Sequence, residues 1–422
     1  MIYPDNFEQK IGFNEIRNML RERCLSTLGK EQVEKMAFSD DAEQVNEWLK
    51  QVREFRRLIL EVEDFPLQYF YDVRESIVRI RIENTHLEEN ELFDLRRSLS
   101  TIDCIVKILN HSDEDESHAE ENDGWRREKK YTYPSLHLLA KDIVTFPQIV
   151  QRIDQILDKF GKIRDNATPE LLQIRRELAK TEGSISRTLY SILRSAQSEG
   201  VVEKDVTPTL RDGRLVIPVI PTLKKKIKGI VHDESATGKT VFIEPTEVVE
   251  ANNRVRELEG EERKEIIRIL TQFTNKLRPY TREIMDSYRF LAKIDLIQAK
   301  QKLAEIQKAI EPEVEDHPHI DWIRAIHPLL QQSLEKKGEK VVPLDITLTQ
   351  DKRILIISGP NAGGKSVCLK TVGLLQYMLQ CGLSIPVSER SKTGVFQNIM
   401  IDIGDEQSLE NDLSTYSSHL LN

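Results

Sequence analysis

Eight consecutive residues, Gly359-Pro360-Asn361-Ala362-Gly363-Gly364-Lys365-Ser366, follow the spacing G-x-x-x-x-G-K-[ST]. That spacing suits phosphate chemistry for a physical reason. Glycines at Gly359, Gly363 and Gly364 let backbone N–H groups turn inward and approach phosphate oxygens. A helix starting at the end of the loop adds its positive dipole end. Lys365 is placed to reach β- and γ-phosphates as a point charge. The Ser366 hydroxyl is placed to ligate Mg²⁺. The pattern therefore predicts a site for ATP with Mg²⁺.

Such a loop works only between a strand and a helix. Arg353 to Ser358 contains Ile354, Leu355, Ile356 and Ile357 in a row, which predicts a short buried parallel strand. After the loop, Val367, Leu369, Val372, Leu374, Leu375 and Met378 recur at near-helical spacing.

The chain has 422 residues, a net charge of -9, 31% charged residues and 6% aromatic residues. Its mean hydropathy is -0.45. This composition predicts a soluble, helix-rich, elongated protein of about three domains. No apolar run approaches the roughly 20 residues of a membrane span. The start, Met1-Ile2-Tyr3-Pro4-Asp5, lacks the basic and apolar regions of a signal peptide. Cys24, Cys104, Cys368 and Cys381 are scattered and read as reduced cytoplasmic thiols. The acidic balance argues against a dedicated nucleic-acid module, so any such contact must be a local patch.

Along the chain, Phe13, Ile16, Met19 and Leu20, then Leu49, Val52, Phe55, Leu58 and Ile59, form helical stripes. They predict an N-terminal helical core over residues 1–130. The acidic run from Asp113 to Asp123 reads as a solvated loop. Thr168-Pro169 is a helix start, with Thr as cap and Pro in the first position. The stripe it opens stops at Gly200. A second long helical segment runs from about Thr246 to about Ile310, with a kink expected at Pro279. Two long amphipathic helices most simply pack antiparallel as an arm. We assign residues 131–200 and 246–311 to this lever.

Between them, Arg211-Asp212-Gly213-Arg214 reads as a hairpin turn. Gly229 to His232 and Thr240 to Ile243 read as two more strands of a β-rich module over residues 201–245. The module carries Lys224, Lys225, Lys226 and Lys228, with Arg211 and Arg214 nearby. This is the densest basic cluster in the chain. It suits sequence-independent, salt-sensitive contact with nucleic-acid phosphates, and equally a solvated turn. Thr237-Gly238-Lys239-Thr240 imitates the end of a phosphate loop, but Asp233 stands where the first glycine belongs and no apolar strand precedes it. His327, ahead of Pro328, is read as structural.

The loop, with His327-Pro328-Leu329-Leu330 before it and Leu369-Lys370-Thr371-Val372-Gly373 after it, resembles the MutS family of DNA-repair ATPases. Asp402-Ile403-Gly404-Asp405-Glu406-Gln407-Ser408 and Leu413-Ser414-Thr415-Tyr416-Ser417-Ser418-His419 resemble the family's second bacterial branch. That branch is associated with suppressing homologous recombination and with ribosome quality control. Arg211 to Arg214 and Phe242-Ile243-Glu244-Pro245 are similar to its arm module.

The resemblance implies a mixed, mainly α fold: a helical core, a long antiparallel lever with a small β-rich clamp, and part of an ABC-type P-loop ATPase domain over residues 312–422. It implies that Asn361 lies near the γ-phosphate and that Val341 and Val342 pack on the adenine. Ser414 and Thr415 would form a signature loop serving a partner's nucleotide across a homodimer. The implied partner is branched or structured DNA, held by the lever and clamp. The alternatives are a ribosome- or RNA-associated ATPase, or a structural coiled-coil arm with a vestigial nucleotide site.

One part of the pattern is missing. An ABC-type Walker B strand, apolar and ending in Asp-Glu, follows the signature loop, and no such segment stands in this chain. Residues 366–422 leave room for at most about two βαβ units of roughly 30 residues. Ile399-Met400-Ile401-Asp402 and Asp405-Glu406 precede the signature loop, which is the wrong order. The histidine switch and the Smr nuclease domain of the branch are absent too. We therefore expect a chain truncated within the ATPase domain, with little hydrolysis and no assignable catalytic residue.

Overall fold

The computed structural model describes residues 1–67, 71–112, 130–211, 213–359 and 364–403. Among these residues the fold is mainly helical with three small sheets. The chain divides into two compact units. The first comprises residues 1–74, 97–147 and 282–422, and the second residues 75–96 and 148–281.

The first unit is built on the helix Lys365–Gln380, whose C-terminal half is buried on nearly every side. An α-helix that is apolar on most faces must be covered on most faces. Phe7, Ile11, Phe13, Ile16 and Leu20, from the first two helices of the chain, cover it. Tyr377 stands at the centre, with its ring 5.3 Å from Phe7, 4.7 Å from Phe13 and 5.6 Å from Phe38. Its hydroxyl donates to Glu8 at 2.6 Å, and Glu8 is paired with Arg17 at 2.7 Å. A buried tyrosine needs a partner for its hydroxyl, and here that partner is itself neutralised.

A sheet flanks the same helix. Its strand order is Val314–Glu315, Lys392–Gly394, Ile320–Ala325, Leu344–Leu348. The pair Val314–Glu315 and Lys392–Gly394 is parallel, and the other pairs are antiparallel. Ile2–Tyr3 pairs in parallel with Ile399–Met400. Two buried amides lock helix to sheet. Gln376 donates to the Gly394 carbonyl at 2.8 Å. Gln380 donates to the carbonyls of Ser39 and Phe396 and accepts from the Phe396 N–H.

The expected buried strand before the loop is not formed. Residues 353–358 belong to no strand, and Ile354 and Ile356 are each 86% exposed. A strand needs a neighbour for its N–H and C=O groups. Among the described residues the last strand of the sheet, Leu344–Leu348, pairs only with Ile320–Ala325, so this apolar run has nothing to cover it.

The second unit contains the two long helices Pro169–Ser198 and Thr246–Leu277. The Thr168 hydroxyl caps the first by accepting from the Leu171 N–H at 3.2 Å. Cross-helix bonds join Thr168 to Glu265, Arg175 to Glu262 and Arg254 to Glu177. The order of the partners shows that the helices run antiparallel. Pro279 lies in a 3₁₀ turn, Arg278–Tyr280, that ends the second helix before Thr281–Gln307 begins. A proline cannot supply the N–H that would continue the ladder.

The two helices are joined by a four-stranded sheet in the order Thr209–Arg211, Arg214–Val219, Val241–Pro245, Gly229–Glu234. Its inner face, Ile217, Val219, Val241 and Ile243, packs against Ile185, Leu189, Leu193 and Ala196. Gly229 is required by close approach: a Cβ there would lie 2.1 Å from the Glu244 carbonyl oxygen.

Candidate functional site

The loop meets its helix at Gly364, whose φ of 83° lies in the left-handed region. That conformation favours glycine, and it aims the first turn of Lys365–Gln380 at the loop. The first turn holds no acidic residue. The Lys365 ammonium folds back and donates to the Gly359 carbonyl, bridging the two ends of the loop. Ser366 follows in the first turn, partly exposed. Pro360, Asn361, Ala362 and Gly363 lie outside the described residues, as do Ser414 and Thr415.

Of the other residues expected near the nucleotide, Val341 is half-buried and Val342 is 87% exposed. His327 has the structural role read from sequence. It caps the helix Pro328–Glu335, with Nδ1 accepting from the Leu330 N–H at 3.4 Å. Burial pushes its imidazole down to about 4, and the Lys370 ammonium acts in the same direction. His327 is therefore neutral at pH 7, as an acceptor must be.

The basic cluster of the second unit is exposed. Lys224, Lys225 and Lys226 occupy the 3₁₀ turn Pro221–Lys226, and Lys228 follows. Their ammonium groups have no ion-pair partner among the described residues. Arg211 is half-exposed, with its guanidinium 4.3 Å from the centre of the Phe242 ring and 3.8 Å from Asp233.

Arg214, expected beside these as a phosphate contact, is committed inward. Its guanidinium donates to both oxygens of the fully buried Glu244 at 2.8 Å and to Asn253 at 2.8 Å. Glu244 also accepts from Asn252 and meets His232 Nε2. A buried carboxylate is stable only with such partners. The Thr237 to Thr240 segment is the turn of a hairpin, closed by Ser235 N–H to the Thr240 carbonyl at 2.8 Å.

Burial alone would raise the Glu244 carboxyl, but bonds from Asn252, His232 and Arg214 more than offset it and hold it below the ordinary 4.5. The sign follows from linkage. A depressed folded-state value means stability that is complete above the unfolded value and lost as pH falls through the folded one. The clamp sheet is expected to lose hydrogen-exchange protection as pH drops below about 4.5. Glu244→Gln should flatten that pH dependence while lowering protection at neutral pH. An unchanged acid profile in the variant would contradict the assignment.

Sequence reading missed one further surface. On the outer face of Pro169–Ser198, an open groove of about 680 Å³ is lined by Ser186, Arg187, Tyr190, Ser191, Arg194 and Ser195. The signal was present: polar, basic and aromatic side chains recur at helical spacing opposite the buried Ile185, Leu189 and Leu193.

Residues 355–422 match the family model described as MutS domain V. Across the chain, the protein named Endonuclease MutS2 from a Geobacillus species is 37% identical over 410 residues, covering 97% of this chain and 50% of that protein. The Endonuclease MutS2 of Levilactobacillus brevis is also 37% identical, covering 97% and 49%, and that of Enterococcus faecalis is 34% identical, covering 98% and 49%. Over nearly its whole length the chain is similar to MutS2 proteins, and its C-terminal residues match a MutS-family domain. It spans about half the length of the MutS2 relatives it matches. The matched domain begins in the exposed run at Leu355 and takes in the loop. No helix among the described residues is long and apolar enough to cross a membrane.

Proposed function

We propose that this chain is the nucleotide-binding and DNA-gripping part of a MutS-type protein. Residues Gly359 to Ser366 hold the phosphates of ATP, and Ser366 takes the accompanying Mg²⁺. The observation that carries this is the left-handed Gly364 at the head of a helix whose Lys365 ammonium already reaches across the loop. When a triphosphate binds, that ammonium exchanges the Gly359 carbonyl for charged oxygens, a stronger charge-assisted bond. Mg²⁺ supplies charge neutralisation between phosphates. The donor set here, one hydroxyl beside substrate phosphates, suits that ion, which usually keeps several waters.

DNA lies against the clamp, with Lys224, Lys225, Lys226, Lys228 and Arg211 facing backbone phosphates. The lever helices carry the clamp. Two copies pair through the ATPase part, in the symmetric manner usual for homo-oligomers.

The test is binding of a branched DNA across a salt series, with and without ATP and Mg²⁺. Each lysine that neutralises a phosphate adds about 0.9 to the slope of log affinity against log salt. Replacing all four lysines by Ala is expected to reduce that slope by up to about 3 to 4. An unchanged slope would remove the clamp from the interface. Ribosomes competing better than branched DNA for the same protein would favour the RNA-associated reading.

A further inference from the structure

We propose that Glu315, His317 and His319 form a binding site for one divalent transition-metal ion, zinc foremost. The three residues follow one another in Glu315-Asp316-His317-Pro318-His319, at the turn between two strands of the first unit's sheet. Each offers one ligand atom, and the three atoms lie within 4.8 Å of one another. Glu315 Oε2 is 3.2 Å from His317 Nε2 and 3.2 Å from His319 Nδ1. Two donors held by one tetrahedral zinc at about 2.0–2.1 Å stand roughly 3.3 Å apart. Glu315 thus stands at that spacing from both imidazoles, and the two imidazoles lie close enough to close around one ion.

The backbone beneath the cluster is held in place. Glu315 pairs with Gly394 in the parallel ladder, and its carbonyl accepts from the Val395 N–H at 3.2 Å. The Gly394 N–H donates to the His319 carbonyl at 2.8 Å. The His317 carbonyl packs so closely on Gly394 that a Cβ there would sit 1.8 Å from it. The turn is thus clasped around one strand residue. Pro318 fixes its own φ and restricts His317 to extended conformations. Little ordering entropy remains to be lost when an ion is bound.

The ligand chemistry selects the ion. Two imidazoles and one carboxylate suit zinc and neighbouring first-row metals, whereas Mg²⁺ and Ca²⁺ take oxygen sets. Three protein ligands leave a fourth position for water, and His317 is exposed, so that position opens to solvent. This site is separate in sequence from the phosphate loop and does not depend on nucleotide. Binding would tie the turn to the sheet and raise thermal stability in proportion to metal concentration.

The experiment uses the 422-residue chain stripped with chelator and titrated calorimetrically with zinc chloride alone. One saturable equivalent at micromolar concentration is expected. His317→Ala and His319→Gln should each weaken it at least about tenfold, and the double variant should lose it. Circular dichroism and the urea midpoint in chelator should be unchanged in His317→Ala, because His317 is on the surface. Co²⁺ in place of zinc should give a spectrum without a thiolate charge-transfer band. The proposal is overturned by the absence of a saturable equivalent, by an equivalent that survives the double variant, or by a thiolate band. The cluster would then be a histidine–carboxylate ion pair only.

Discussion

Lys365→Ala is expected to weaken binding of ATP with Mg²⁺ by at least about thirtyfold, the equivalent of roughly 2 kcal/mol. The ammonium spans the loop, from the head of the helix to the Gly359 carbonyl. Removing it takes away the side-chain charge that the proposed phosphate site offers. The fold should not notice, because Lys365 lies at the surface end of a helix whose buried contacts begin at Thr371. Equilibrium titration with a fluorescent ATP analogue measures the effect, and a urea midpoint provides the control. Affinity within a factor of three of the parent would show that the loop does not grip a triphosphate. If clamp binding to DNA also ignored both ATP and this substitution, the chain would be a structural arm with a vestigial site.

Asp295→Ala should destabilise the first unit by about 3–5 kcal/mol. Asp295 is fully buried, and its carboxylate accepts from the Leu25 N–H at 2.9 Å, the Ser26 N–H at 2.9 Å and the Ser26 hydroxyl at 2.6 Å. It joins the helix Thr281–Gln307 to the start of the helix Thr27–Glu34. Gly29 packs so close that a Cβ there would meet the carboxylate at 2.3 Å. Alanine would orphan the buried Ser26 N–H and hydroxyl, each costing about 1–3 kcal/mol, and the partly buried Leu25 N–H. Asp295→Asn keeps the shape and one acceptor oxygen and should cost less. Urea unfolding followed at Trp322, buried in this unit's core, measures both. A loss below 1 kcal/mol in the alanine variant would mean that water or local relaxation replaces the carboxylate.

Both effects turn on contacts of different range, and range decides how much could be read from sequence. The lever was legible because its signals are local. Thr168-Pro169 caps a helix within one turn, and Pro279 breaks one by lacking an N–H. Gly213, at φ 75°, turns the hairpin between Thr209–Arg211 and Arg214–Val219. The start of the loop helix was legible for the same reason, since a left-handed residue before a lysine and an apolar period needs no distant partner.

What the sequence determined by itself, then, is the helix Lys365–Gln380, the paired helices Pro169–Ser198 and Thr246–Leu277 and the strand-rich segment between them, since φ/ψ preference and apolar period are properties of neighbours. The tertiary structure alone decided which side chains are spent on folding. It turned Arg214 inward to Glu244 while leaving four lysines outside. It set Tyr377 among Phe7, Phe13 and Glu8, from the far end of the chain. It left Ile354 to Ile357 uncovered and brought Glu315, His317 and His319 around Gly394. A side chain's partner across a sheet or core depends on where distant backbone comes to rest, and no window of neighbouring residues contains that information.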